Sequence, residues 1–564
     1  MMTRGLNLKA KAATLAMRLA GNRRGNVAML FALCLPVLLM LTAAGVDIHR
    51  ISTVQSNLQD ALDAAALAAA RSPHTDDADI RRVGLDALRA NLYAYPRIQL
   101  LEGSVTFALN DLGVVVADAD VNVDTLIANL VMAPHGRFFD DQTTVRAHSE
   151  VMRSNMRIEV ALVIDNTGSM TSDGKLTATQ AAAISLVNRL EAAADRSVED
   201  DAVRISLVPF SSTVRINSGF GSTTNRTQAS ALPYLSQATN HTGSTGTYGI
   251  FETGQNRFQL YDNMRVGWAG CVESRAYPYD TRDTAPSSSN QATMFVPMLA
   301  PDLPDQTGSG GYPNDTTWRA YATAFSGSAF YNNYLSDGRT GSSNSRPFAS
   351  TTAREAEWNT RLRNPAKYNT TSVTTANGYG PNYGCGIQPL VRLTTNFSQV
   401  RTNIQNMVAH GTTNIPMGLM WGWHTISPNA PFSDAKPYGE ERLQKIVILM
   451  TDGDNTNYDF AVPDRSSYSG IGLIWQDRIG VGRGTTDNQR RTALDNRLAE
   501  LCNNLRGQEV LVYTVGVGVD NRTQVLLGDC ATDDDMFFNV SGASGIASAF
   551  DRIAGAIENL RISK

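Results

Sequence analysis

Three oxygen-bearing side chains alternate along one hexapeptide, Asp165-Asn166-Thr167-Gly168-Ser169-Met170. Asp165, Thr167 and Ser169 are short, so a single tight loop can gather their oxygens, and hard divalent cations take ligands of this kind. Two further segments have the same character, Gly411-Thr412-Thr413-Asn414 and Thr451-Asp452-Gly453-Asp454. Each has a bland reading alone. An Asp after a strand commonly caps a helix, and a Thr-Asn pair commonly makes a turn. The three together predict a cation site if the fold brings them to one place.

The neighbouring elements can do that. Residues 158–164 (IEVALVI) and 445–450 (KIVILM) read as buried strands. Asp165 follows the first and Asp452 the second. The Gly411–Asn414 segment precedes an amphipathic helix. A third strand is expected within 509–518 (EVLVYTVGVG), with helices over 487–506 and 545–560. Strand and helix in alternation predict an α/β fold with a mostly parallel, doubly wound sheet. In such sheets ligands sit beyond the carboxyl ends of the strands, at the switch point. If the strands before Asp165 and Asp452 are neighbours, their loops face each other across that crevice.

Catalytic readings fare poorly. Gly168 and Gly174-Lys175 imitate a phosphate loop, but five residues separate the glycines instead of four, and Leu176 stands where Ser or Thr is needed. No G-x-S-x-G or H-E-x-x-H occurs, and the seven histidines are scattered. His410, beside the threonine segment, reads as a helix-end cap or a packed surface residue. Trp421 and Trp423, two apart, cannot share a helix face, so one is expected to pack inward and the other to touch the long polar segment described below. No catalytic residue is assigned, and the chain reads as a non-enzyme.

The chain has 564 residues, 42% hydrophobic and 18% charged, which is globular composition over more than one core. A net charge of -4 gives no nucleic-acid footprint. Residues 1–26 hold Arg4, Lys9, Lys11, Arg18, Arg23 and Arg24 and no acid. Residues 27–46 follow as 20 uncharged, largely apolar positions, enough for a helix to cross a bilayer. A cleaved signal peptide would be shorter and end in a small-residue site. Asp47-Ile48-His49-Arg50 follows instead, which favours an uncleaved anchor with its basic flank in the cytoplasm. Cys34 lies in the span. Cys271, Cys385, Cys502 and Cys530 are an even set in the exported part, able to form two bridges in three pairings. Cys271–Cys385 and Cys502–Cys530 are favoured, because each closes a segment otherwise without support.

Beyond the span, Ile51, Val54, Leu58, Leu62 and Ala65 make one helical stripe. It reads either as a stalk continuous with the anchor or as an ordinary amphipathic helix. Residues 103–150 alternate like strands and are expected to pack on it. The texture changes at about 215–395, where Ser, Thr, Asn, Gly and Tyr dominate. Trp268, Trp318 and Trp358 within it argue for a folded, loop-rich insertion. The expected boundaries are therefore a basic segment 1–26, a span 27–46, a helix with a small sheet 47–150, and the site-bearing domain 155–564.

The three loops resemble a known family. DNTGSM is similar to the D-x-S/T-x-S motif of the metal-ion-dependent adhesion site in von Willebrand factor A-type (vWA) domains; GTTN resembles its threonine loop, and LMTDGD its distal aspartate loop. The resemblance implies a vWA-type doubly wound sheet. It implies a metal held by Ser169 and Thr413 hydroxyls, with Asp165 and Asp452 acting directly or through water and Thr167 supporting the loop. Thr413 is preferred to Thr412 because Asn414 then completes the family's T-N pair. The ion would be Mg²⁺, or else Mn²⁺ or Ca²⁺, with one position open to a partner's acid. The anchor texture, the alanine-rich helix, GWAGCVESR (267–275) and the ending AFDRIAGAIENLRISK resemble TadG-like proteins of the Tad (Flp) pilus machinery. That resemblance implies a small pilin-like α+β region after the anchor, in the bacterial inner membrane with the bulk of the chain in the periplasm. Its implied partners are Tad machinery proteins or pilin-like subunits. After Gly25 the sequence reads NVAML, without the glutamate of the pseudopilin processing site, which argues against processing and polymerisation. Two functions are expected from this: a pilus assembly or anchoring factor, or a surface adhesin.

Overall fold

The computed structural model describes residues 26–72, 74, 76–95, 98–110, 113–124, 142–152, 156–197, 199, 201–238, 249–304, 332–336, 351–373, 380–458 and 467–562. The basic segment 1–25 and Trp318 lie outside them. The chain divides into two compact units between residues 154 and 155.

In the first unit, α1 (Asn26–Arg71) is one 46-residue helix with Pro36 inside it. Its early part is bare: Leu30, Leu33, Leu38 and Leu41 are more than half exposed. It is long and apolar enough to cross a membrane. Its later part is the opposite, with Leu58, Leu62, Ala65 and Ala69 fully buried. They pack against α2 (Asp77–Leu92), capped by the Asp76 carboxylate, and a small antiparallel sheet. That sheet comprises β1 (Gln99–Leu100), β2 (Thr106–Leu109), β3 (Val114–Asp124) and β4 (Gln142–Met152), with β3 paired to all three others. Small residues let the layers close. A Cβ on Gly84 of α2 would come within 2.5 Å of the Phe107 ring.

The second unit begins with β5 (Arg157–Asp165), followed by α3 (Lys175–Asp195), β6 (Val203–Phe210) and β7 (Val214–Arg215). The region expected as an insertion contributes short elements: α4 (Asn225–Ser230), α5 (Arg257–Met264), β8 (Cys271–Glu273), β9 (Val296–Pro297) and α6 (Thr351–Arg363). Then come β10 (Val391–Thr394), α7 (Phe397–Gln405), α8 (Ile415–Ile426), β11 (Leu443–Thr451), α9 (Asp487–Arg506), β12 (Leu511–Val517), α10 (Asn521–Cys530), β13 (Phe537–Val540) and α11 (Ala543–Ile562). The sheet runs β13-β12-β11-β5-β6 in parallel. It continues antiparallel through β7, β8 and β9, with β10 antiparallel on β6.

Alternation sorts the strand residues to two faces. Val160, Leu162, Ile164, Ile446, Ile448 and Met450 pack under α3, α7 and α11. Ala161, Val163, Val447 and Leu449 pack on the other face with α8, α9 and the insertion. Close approach there requires glycine: a Cβ on Gly422 of α8 would lie 2.3 Å from Val163 Cγ2, and one on Gly418 would lie 2.4 Å from the Phe210 ring.

All twelve residues of α8 are buried. The amphipathic helix expected there is therefore covered all round, and Trp421 and Trp423 are both inside. Trp421 packs on Phe295 and Phe432, and Trp423 Nε1 donates to Tyr438 Oη at 2.8 Å. The insertion is tied into this core by a fully buried ion pair, Arg257 with Glu273, which Tyr468 and Arg478 join. Burial opposes the ionised Glu273 carboxylate, but Arg257 and Arg478 overcome it and hold its pKa down at about 2. Two disulfides close the unit, Cys271–Cys385 and Cys502–Cys530.

Candidate metal centre

The chain runs from β5 to β6 on one side and returns to β11 on the other, so β5 and β11 are neighbours whose onward connections diverge. This is the switch point of the sheet. Ile164 pairs with Met450 across it, and Asp165 ends β5 while Asp452 follows β11. The two acid-bearing loops face one crevice.

Backbone hydrogen bonds fasten the threonine segment to them. Gly168 N donates to Gly411 O at 3.0 Å, His410 N to Asn166 O at 2.8 Å, and Thr456 N to Thr413 O at 2.9 Å. The Asn414 side chain caps α8 by accepting from Met417 N. His410 thus contributes its backbone to this junction. Its ring stands against Gly386, where a Cβ would come within 3.1 Å of Nε2.

The oxygens converge. Ser169 Oγ donates to Asp452 Oδ1 at 2.5 Å, and Thr167 Oγ1 lies 3.0 Å from Ser169 Oγ. Asp165 Oδ1 accepts from Thr167 N at 2.9 Å, and its Oδ2 accepts from Thr451 Oγ1 at 2.6 Å. Gly453 sits among them: a Cβ there would lie 3.7 Å from Thr413 Oγ1 and 3.8 Å from Ser169 Oγ. The fold therefore gathers Asp165, Thr167, Ser169, Thr413 and Asp452. The second acid of the distal segment, Asp454, turns away to Arg491 at 2.8 Å and Thr523 at 2.7 Å.

Charge at this point is unbalanced. Asp165 is fully buried, and burial first, then the negative charge of Asp452, push its pKa up to about 6. Among the described residues the ammonium at the site is that of Lys175 at the start of α3, whose Nζ lies 3.0 Å from Asp452 Oδ2. Ionised, Asp165, Asp452 and Lys175 sum to one negative charge. Two carboxylates and three hydroxyls on converging loops suit a hard cation. Among the described residues no group of three or more His, Cys, Asp and Glu gathers, so a metal here depends on the hydroxyls.

Sequence reasoning missed Lys175 and Thr451. Lys175 is ten positions past Asp165, outside all three loops, and no local pattern announces its reach to Asp452.

Residues 159–258 match the family model for the von Willebrand factor type A domain. The second unit thus holds a vWA domain. The match contains Asp165, Thr167 and Ser169 and ends before Thr413 and Asp452. Residues 25–72 match the family described as putative Flp pilus-assembly TadE/G-like. The chain is thus TadG-like, with a vWA domain. No curated protein matches it. Among solved structures it is similar to the vWF domain of the type V pili tip protein Mfa5 from Porphyromonas gingivalis, at 11% identity and TM-score 0.32, covering 72% of this chain and 97% of that one. It is similar to the pilus adhesin SpaC from Lactobacillus rhamnosus GG, at 9% identity and TM-score 0.29, covering 82% of this chain and 35% of that one. It is also similar to the adhesive tip pilin GBS104 from Group B Streptococcus agalactiae, at 11% identity and TM-score 0.32, covering 71% of this chain and all of that one. The chain spans about a third of the length of SpaC. vWA domains commonly bind a divalent metal at a metal-ion-dependent adhesion site.

Proposed function

We propose that the chain is an assembly or anchoring factor of the Tad (Flp) pilus, held in the bacterial inner membrane, which uses its metal site for protein contact. The observation that carries this is the joint presence, in one chain, of a TadE/G-like segment and an oxygen-lined crevice with an unmet negative charge. In this reading the N-terminus is cytoplasmic, residues 27–46 cross the membrane, and the chain beyond them is periplasmic.

Ser169 and Thr413 would hold the ion through their hydroxyls, Asp165 and Asp452 directly or through water, and Thr167 would brace the loop. Mg²⁺ is the proposed ion, with Mn²⁺ or Ca²⁺ as the other candidates. When bound, such a cation supplies an open position for a partner's Asp or Glu. The chain's own groups make contact the simpler use than catalysis. Lys175 is committed to Asp452, and the His410 ring faces Gly386. Neither is placed as a free base or nucleophile, which a reaction would require.

Asp165→Ala tests the reading in cells. The expected result is a variant present in the membrane at normal level in cells that lack Flp-type pili. Normal piliation with the variant at that level would overturn it and leave surface adhesion as the use of the site; release of the chain with sheared appendages would point the same way.

A further inference from the structure

We propose that the first unit carries a second membrane contact, a surface beside the anchor that seats in the phospholipid headgroup layer. The proposal rests on the reading of residues 27–46 as a membrane span.

The surface arises because α2 folds back along α1. Its far end returns beside α1 just past the span, with Tyr95 against residues 50–57. Arg50, Thr53, Val54, Asn57, Tyr95 and Ile98 line an open groove there of about 340 Å³. On the same unit stand large apolar and aromatic side chains left open by the described residues: Ile48 is 66% exposed, and Tyr93 is 89% exposed.

Height decides what covers them. α1 is unbroken from the span into the groove. At 1.5 Å per residue, Arg50 lies about 6 Å and Asn57 about 16 Å beyond Val46 along the helix. The headgroup layer on each side of a roughly 30 Å hydrocarbon core is about 5–8 Å deep. With the hydrocarbon core on residues 27–46, the phosphates lie at Arg50, and the groove toward Asn57 rises above the headgroup layer. The residue types fit that depth. Tyrosine is enriched at membrane interfaces because its ring is apolar and its hydroxyl is wet, and an arginine stem lies along apolar surface while its head meets phosphate. Arg50 holds its neighbours loosely, with Asp47 at 3.7 Å and Asp124 O at 3.5 Å, so its guanidinium retains capacity for phosphate oxygens. Continuity with the span favours lipid over a second copy or a protein partner.

The test uses the full chain in phosphatidylethanolamine–phosphatidylglycerol vesicles. Cys34 is the free cysteine among the described residues, so Cys34→Ser leaves the two disulfides and admits one spin label. Labels are placed at Tyr93→Cys, at Leu38→Cys in the span, and at exposed Arg82→Cys on α2. Collision with oxygen, which concentrates in lipid, is compared with collision with a water-soluble nickel chelate. The expected oxygen-to-nickel ratio is several-fold higher at Tyr93→Cys than at Arg82→Cys, and highest at Leu38→Cys. A lipid-like Leu38→Cys beside a Tyr93→Cys equal to Arg82→Cys would overturn the surface alone. A water-like Leu38→Cys would overturn anchor and surface together. A Tyr93→Cys label that is immobilised yet shielded from both reagents would assign the surface to a protein partner and overturn the lipid contact.

Discussion

Glu159 and Asp165 stand on the same strand, β5, six residues and roughly 20 Å apart, and the fold serves them differently. Both are buried, at 1% and 0% exposure. Glu159, near the strand's start, accepts from Lys445 and from Arg204, and also from Lys436 N at 2.9 Å. Lys445 spends its other protons on Ile426 O and Lys436 O, at 2.8 and 2.7 Å. Asp165, at the strand's end, has two hydrogen bonds and, among the described residues, no basic partner. Where the chain closes the sheet it brings its own counter-charges. Where the sheet opens at its switch point it leaves a charge unmet. A buried carboxylate left in that state costs stability unless something outside the chain neutralises it, so the contrast marks one end as structure and the other as the candidate site.

The largest effect should come from breaking the neutralised end. Lys445→Met leaves Glu159 buried with one of its two basic side-chain partners, and removal of one member of a buried pair costs about 3–5 kcal/mol. The six tryptophans all lie between Trp268 and Trp475, so their fluorescence in a thermal melt reports the vWA domain. An unchanged melting temperature would remove the claim that this end is neutralised by need. Adding Glu159→Gln should recover part of the loss.

Asp165→Asn should do the reverse in metal-free protein. The folded pKa of Asp165, about 6, is raised above its ordinary 3.8. The fold therefore favours the protonated form, and stability is fullest below about pH 4 and is lost as pH rises to about 6. Asn removes that loss. The variant should gain up to about 3 kcal/mol at pH 8, at 1.36 kcal/mol per unit, and nothing at pH 4. A variant that melts lower than wild type at pH 8 with chelator present would show that Asp165 is already compensated.

Next in size is the ion itself. Mg²⁺ at a hundred times its Kd should stabilise the wild type by about 2.7 kcal/mol and leave Asp165→Asn and Asp452→Ala unmoved. A similar rise in those variants would place the ion elsewhere. The smallest effect concerns Lys175, which holds the carboxylate an ion needs. Lys175→Met should tighten Mg²⁺ binding about tenfold by calorimetry, or about 1.4 kcal/mol. Unaltered or weaker binding would mean that the ammonium does not compete.

Much of this was legible in the sequence because it is local. The apolar run ahead of Asp47, the strand runs before Asp165 and Asp452, and the hydroxyls at alternating positions are patterns of period and spacing, which short-range sterics and burial enforce. The parallel sheet followed from their alternation with helices. What the sequence could not decide are pairings between distant residues. Arg204 and Lys445 reach Glu159 from 45 and 286 positions away. Lys175 meets Asp452 across 277. The antiparallel extension through β7, β8 and β9 and the full burial of α8 depend likewise on where the insertion packs. A charge carries no record along the chain of which partner the closed fold will bring to it. That choice is made when strands register and helices dock, and it separates the carboxylate that the chain neutralises from the carboxylate that it leaves without a basic partner among the described residues.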